Sequence, residues 1–334
     1  MATSSDRKKS RKRLPADARL RIEQARQVAR QDMALGLMSL FRPIALAHRG
    51  LDSSGKRKRE YLELEQTWKG VKVIVAGPEM SQAEQGVLLA LLSLSLQQQD
   101  GGIATLEGPP IGMIPADKRE SGNEGSRYPV VAVRTTVGRL CSVLGVPADG
   151  NSRRSVLTAI RRLAGVTLTV MGGGRWATTH LIHNAAGDDG SDSLAIVLNW
   201  RLTTALAGQG YASIPMKDYR EVPPGVPRLI YAWLCSWLAA RGGERRISLA
   251  ALEPHIYGDI AVDRRAASRR RQALRRGLVA LREIGWHIEI DDSGMATIDR
   301  RSTDALATCT SSRQTPDKLA TAVRRNQALA RVSD

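Results

Sequence analysis

Apolar positions recur along this chain with two periods, and the switches between them mark its elements. At about 100° per residue, Ala267, Leu274, Gly277, Leu278, Leu281 and Ile284 collect on one side of a helix. Arg264, Arg265, Ser268, Arg269, Arg271, Gln272, Arg275 and Arg276 fill the opposite arc, and Arg270 alone breaks the division. This amphipathic helix ends near Gly285, a left-handed cap. Upstream, Val226–Arg241 carries Leu229, Ile230, Trp233, Leu234, Trp237 and Leu238 behind Pro223 and Pro224 and reads as a core helix. Arg246-Ile247-Ser248 reads as a short edge strand whose Ser caps a helix over Leu249–Tyr257, and residues 258–263 form a loop. Downstream, Trp286–Ile290 alternates with period two, Asp291–Gly294 is turn chemistry, and Met295–Ile298 returns as a second strand.

The same order occurs earlier. Ser81 caps a leucine-rich helix to Gln97, an irregular Gly/Pro-rich segment spans Gly101–Arg127, and Val130–Arg134 is a strand. Thr135 or Thr136 caps a helix to Leu144, and Gly145–Gly150 is a turn. Ser152–Ala164 is again amphipathic, with Val156, Leu157, Ile160 and Leu163 opposite Arg154, Thr158, Arg161 and Arg162. Val166–Val170, a triple-Gly turn and Trp176–Ile182 make a hairpin. Helix, strand, helix, turn, basic helix and hairpin is the order of a winged helix-turn-helix, in which the third helix enters the major groove. The expected fold is therefore α+β, with two tandem winged helix-turn-helix domains. Residues 1–34 form a basic, partly disordered arm, 35–204 the first domain, 205–301 the second and main DNA-reading domain, and 302–334 a flexible tail. A basic helix through Ala16–Leu40 and a solvated tail both fit the arm.

Charge sharpens this picture. The 334 residues carry a net charge of +17. Residues 1–34 hold 10 basic and 4 acidic side chains, and residues 201–301 hold 17 and 11. Seven of the thirteen residues from Arg264 to Arg276 are Arg and none is acidic. That arrangement points to a polyanion, and Arg rather than Lys fits bidentate contact with phosphate and guanine edges in double-stranded DNA. Arg265, Arg269, Gln272 and Arg276 recur about once per turn and are expected on base edges; Arg264, Arg271 and Arg275 are expected on phosphates. The first domain, with fewer Arg on its helix, is expected to bind DNA more weakly and to use part of its surface for self-association. No apolar run approaches a membrane span, no signal-type stretch follows the N-terminus, and Cys141, Cys235 and Cys309 are too dispersed for a disulfide framework or zinc site, so a cytoplasmic protein is expected.

Enzymatic readings find little support. Gly50–Arg57 is nearly a phosphate-binding Walker loop, but Arg57 replaces its Ser/Thr. His180 and His183 on one strand would face opposite ways. No His-x-His cluster accompanies Tyr211, Tyr219, Tyr231 or Tyr257, as a DNA nickase would need. With six Trp, six Tyr and one Phe, no aromatic platform for single strands is expected, and Trp233, Trp237 and Trp286 read as core. We expect no catalytic residues, no metal and no cofactor.

Short stretches in a particular order carry a family resemblance: Leu40-Phe41-Arg42, Gly77-Pro78-Glu79, Leu194–Asn199, Ile214-Pro215-Met216, Arg228–Trp237, Ser268–Gln272 and Leu281–Trp286. In these the chain resembles the RepC-type replication initiators of IncQ-like plasmids, which are tandem winged-helix, iteron-binding initiators. The resemblance implies binding to direct repeats at a plasmid origin, opening of the adjacent duplex, recruitment of plasmid-encoded helicase and primase, and copy-number control. A tandem winged-helix transcriptional regulator is the alternative that the residues alone leave open.

Overall fold

The computed structural model describes residues 27–44, 59–68, 70–97, 103–108, 126–187, 192–206, 208, 210–241, 243–261 and 263–300. Residues 1–26, the Gly50–Arg57 loop and the 302–334 tail lie outside the described residues.

The chain begins with β1 (Val28–Asp32) and α1 (Met33–Leu37), followed by β2 (Tyr61–Trp68), β3 (Val71–Pro78) and α2 (Gln82–Gln97). A reciprocal cap starts α2: the Ser81 hydroxyl accepts from the Ala83 N–H, and the Glu84 carboxylate accepts from the Ser81 N–H at 2.7 Å. Residues 84–94 of α2 are buried all round, so this helix lies inside the core. Next come β4 (Ile103–Gly108), β5 (Ser126–Thr136), α3 (Val137–Leu144) and α4 (Gly150–Ala164). Thr136 caps α3, Asp149 caps α4, and Gly145 ends α3 at φ 72°, where glycine avoids the Cβ penalty. The strands β6 (Thr167–Gly172), β7 (Arg175–His180), β8 (Ile182–Gly187) and β9 (Ser193–Leu198) lead to α5 (Trp200–Leu206), β10 (Tyr211–Pro215) and α6 (Met216–Glu221). The last part comprises α7 (Val226–Arg241), β11 (Arg245–Ser248), α8 (Leu249–Tyr257), α9 (Arg264–Ala280), a 3₁₀ turn (Leu281–Ile284), β12 (Trp286–Ile290) and β13 (Met295–Arg300).

The molecule is thus mixed α and β. Its sheets have the orders β1-β10, β2-β3-β6-β7, β4-β5-β9-β8 and β11-β13-β12. In the last, β11 is an edge strand, as expected, with Ile247 opposite Ala296 and Ile288 opposite Ile298.

Four expectations change. Residues 27–34, assigned to the arm, belong to the body: β1 pairs antiparallel with β10, Ala29 opposite Ile214, so no helix runs through Ala16–Leu40 at this point. That pair also crosses the expected boundary at 204/205, and one continuous apolar cluster runs from Ala29 to Ile298. The segment expected to be irregular contains β4, which pairs with β5. Finally, β5 pairs with β4 over Ser126–Val131 and with β9 over Ala132–Thr136, while the β6–β7 hairpin pairs with β3 and so extends the β2–β3 hairpin instead. The strand expected through Ile182 stops at His180; buried Leu181 donates its N–H to the Val166 carbonyl at 2.8 Å, and the chain crosses into the other sheet. His180 and His183 therefore lie on strands of different sheets.

The long helix α7 packs against α1, β10, α8 and α9 and so joins the two halves. Trp233 stacks on Trp237 at 5.4 Å and on His255 at 4.7 Å, while Trp286 meets Tyr231 edge-on at 5.8 Å. All three Trp expected in the core are there.

Candidate nucleic-acid interface

Among the described residues, a strongly cationic surface is built on α9. Asp263 caps it, its carboxylate accepting from the Ala266 N–H at 2.7 Å. Leu274, Gly277 and Leu278 are buried against α7, and a Cβ on Gly277 would come within 2.6 Å of Ile230 Cδ1. The missing side chain lets the two helices approach closely. With that face committed to the core, Arg264, Arg265, Ser268, Arg269, Arg271, Gln272, Arg275 and Arg276 are all exposed on the other.

Arg270, the residue that broke the helical pattern, has a different task. Its Nη1 lies 3.3 Å from the Glu253 carboxylate and 2.9 Å from that of Asp259, and its guanidinium sits 4.7 Å from the Tyr257 ring centroid. Glu253 is 5% exposed and also accepts from the Ala261 N–H at 3.0 Å. One buried carboxylate thus ties α8, the intervening loop and α9 together and sets the angle at which the basic face is presented. Periodicity did not single out Glu253, although a carboxylate amid LAALEPHIY was its signal. Burial pushes the Tyr257 phenol up, against the pull of the Arg270 charge.

Beside α9 stands the β12–β13 turn. The Asp291 carboxylate accepts from the Ser293 hydroxyl at 2.6 Å and from the Met295 N–H at 2.9 Å, and these bonds hold its pKa below the usual carboxylate range. Gly294 closes the turn at φ 83°. An open groove of about 350 Å³ runs between the start of α8 (Ser248–Ala250), the Arg271, Gln272 and Arg275 side of α9, and Asp292–Gly294. Arg275 reaches across to the Asp291 carbonyl at 3.4 Å. Helix face, groove and turn therefore form one continuous surface.

The expected face on α4 is weaker. Arg154 and Arg161 are exposed and Thr158 is half-buried. Arg162, expected to reach outward to DNA, is tied inward: its Nη1 donates to the Glu84 carboxylate at 2.8 Å, with Arg59 3.2 Å from the same oxygen. Burial acts to raise the Glu84 pKa, but the Ser81 and Arg162 hydrogen bonds and the Arg59 charge outweigh it and leave the group below its ordinary value. A buried carboxylate needs this compensation, which explains why one Arg of the α4 set turns inward.

Among the described residues there is no cluster of three or more His, Cys, Asp or Glu that could hold a metal, and no helix long and apolar enough to cross a membrane. Cys141 and Cys235 are buried free thiols.

Comparison with known proteins adds identity to this geometry. Two crystal structures of domains 2 and 3 of RctB share 14% and 13% identity with the chain, at TM-scores of 0.46 and 0.44. The first match covers 78% of this chain and 97% of that one; the second covers 73% and 93%. None of the curated protein sequences matches. The replication protein C (RepC) family model matches residues 120–301, which include β5, α4 and the whole α9 surface. That match spans more than half of the 334 residues, and the chain belongs to the RepC family of replication proteins.

Proposed function

We propose that this chain is a non-catalytic plasmid replication initiator that binds direct repeats in double-stranded origin DNA through α9. The observation that carries this reading is the exposed face of α9: of the seven Arg between Arg264 and Arg276, Arg270 alone is withdrawn into a structural tie. Six Arg remain presented to solvent with Ser268 and Gln272 among them, a donor-rich face with no carboxylate. Helix α7, strand β11, helices α8 and α9, and the β12–β13 hairpin follow winged-helix order, with α9 in the recognition position and the Asp291–Gly294 turn as the wing. Arg265, Arg269, Gln272 and Arg276 read base edges; Arg264, Arg271 and Arg275 hold phosphates. Ser268 lies between the two groups.

The first half plays a lesser part. Arg154, Thr158 and Arg161 on α4 make a second, weaker DNA contact, and self-association uses another part of that half. Origin opening, helicase and primase loading, and copy-number control follow from occupancy of several repeats by a protein that bends its DNA. Footprinting the replicon that encodes the chain tests the reading. Evenly spaced protected repeats are expected; protection that is absent, or indifferent to sequence, contradicts it.

A further inference from the structure

We propose a second nucleic-acid contact, separate from α9: the tip of the β6–β7 hairpin stacks the Trp176 indole on a DNA base. Among the described residues Trp176 is 68% exposed, whereas Trp233, Trp237 and Trp286 are each under a tenth exposed. Met171, directly across the strand pair, is 37% exposed and flanks the indole, a favourable sulfur–aromatic neighbour. The backbone places this pair at a projecting end of the fold. Gly173 and Gly174 have φ 57° and 73°, the signature of a tight type I′ turn, and a Cβ at either would meet nothing within 4 Å. Gly70, in the neighbouring β2–β3 turn, likewise faces open space.

The electrostatics suit a polyanion. Arg175 is exposed at the turn, one residue before Trp176 and so on the alternate face of β7, and the hairpin from Thr167 to His180 contains no acidic residue. Lys72 stands opposite Met171 on β3, and its ammonium pairs with the Glu65 carboxylate at 2.6 Å. The size of the patch selects the ligand. Two apolar side chains on a turn fall far below the roughly 800 Å² per partner of a stable protein interface, but an indole matches one base. The flanking cation then holds the backbone while the indole takes the base face. Such a base is either already unpaired or sits at an unstacked step of a duplex, where an apolar wedge enters. The proposal takes from the proposed function only that the ligand is DNA.

The test uses the full chain, a fluorescent 20-mer of dT and a fluorescent random 20-bp duplex at one salt concentration. Trp176→Ala is expected to weaken binding by about 5- to 150-fold on at least one probe, while Trp176→Phe retains most of the affinity. A loss confined to the dT 20-mer assigns an unpaired base, and a loss on the duplex as well assigns an unstacked step. Equal affinity of parent and Trp176→Ala on both probes overturns the proposal, as does an equal loss with Phe and Ala. An Arg264→Ala, Arg271→Ala, Arg275→Ala triple variant, which removes the α9 side chains assigned to phosphates, keeps the two sites apart. It is expected to lose duplex affinity and to preserve the Trp176 effect on dT; if it binds duplex normally, the α9 reading fails and the Trp176 result still stands by itself.

Discussion

Two adjacent arginines on α9 illustrate how identical side chains divide into separate tasks. Arg269 is exposed, whereas Arg270 is held by Glu253, Asp259 and Tyr257. Arg270→Ala leaves a carboxylate that is 5% exposed without its ionic partner. The guanidinium itself is 25% exposed, so solvent screening keeps the expected loss to about 1–2 kcal/mol, below that of a fully buried pair. Arg269→Ala touches no such tie and should stay within about 0.5 kcal/mol of the parent. Chemical denaturation of both variants checks this; equal stability would mean that the Glu253 tie is not structural. Helical periodicity found Arg270 to be anomalous but not why, because its partners are a loop carboxylate and a residue seventeen positions upstream.

At the scale of elements, caps and buried charges decide where helices start and how they meet. Asp263→Ala removes the cap of α9 and should cost about 1 kcal/mol. Hydrogen exchange should show it as faster exchange confined to the first turn, around Ala266; uniform acceleration through α8 and α9 would contradict a purely local role. Glu84 joins α2 to α4 through Arg162 and to Arg59. Its folded pKa lies below the ordinary 4.5, so its stabilising contribution is present above that value and is lost as pH falls through the folded pKa. Glu84→Gln should therefore lower stability by about 2 kcal/mol at pH 7, discounted because Arg162 is 35% exposed, and the gap from the parent should close under acid. The comparison with the parent matters, because burial raises the Asp32 pKa against the pull of Arg201 and gives the opposite pH dependence. A gap that does not change with pH would exclude the ionised tie.

The whole molecule shows where sequence reading succeeds and where it stops. Local signals located α7, α8, α9 and the β12–β13 hairpin to within a few residues, because each has its own period, cap or turn chemistry. Strand partners were not legible: β1 finds β10 across more than 170 residues, and the β6–β7 hairpin joins β3 rather than β5. Pairing depends on which edges remain free after folding, and no local pattern records that. The exposed face of α9 was legible residue by residue, but the inward turn of Arg162 and the exposure of Trp176 were not, since both are set by the surrounding tertiary structure. If α9 and its neighbours neutralise about six phosphates, log affinity against log salt should have a slope of about −5.

The central claim, that the exposed face of α9 reads DNA sequence, is tested most directly by fluorescence anisotropy on an origin repeat and on a shuffled duplex. Parent and Arg269→Ala, Arg276→Ala proteins are compared at several salt concentrations. The account predicts that each substitution removes about 1–3 kcal/mol from binding to the repeat and much less from the shuffled duplex, so that the preference collapses. Equal losses on both DNAs would reduce these arginines to phosphate contacts, and an unchanged preference would place sequence reading elsewhere in the molecule.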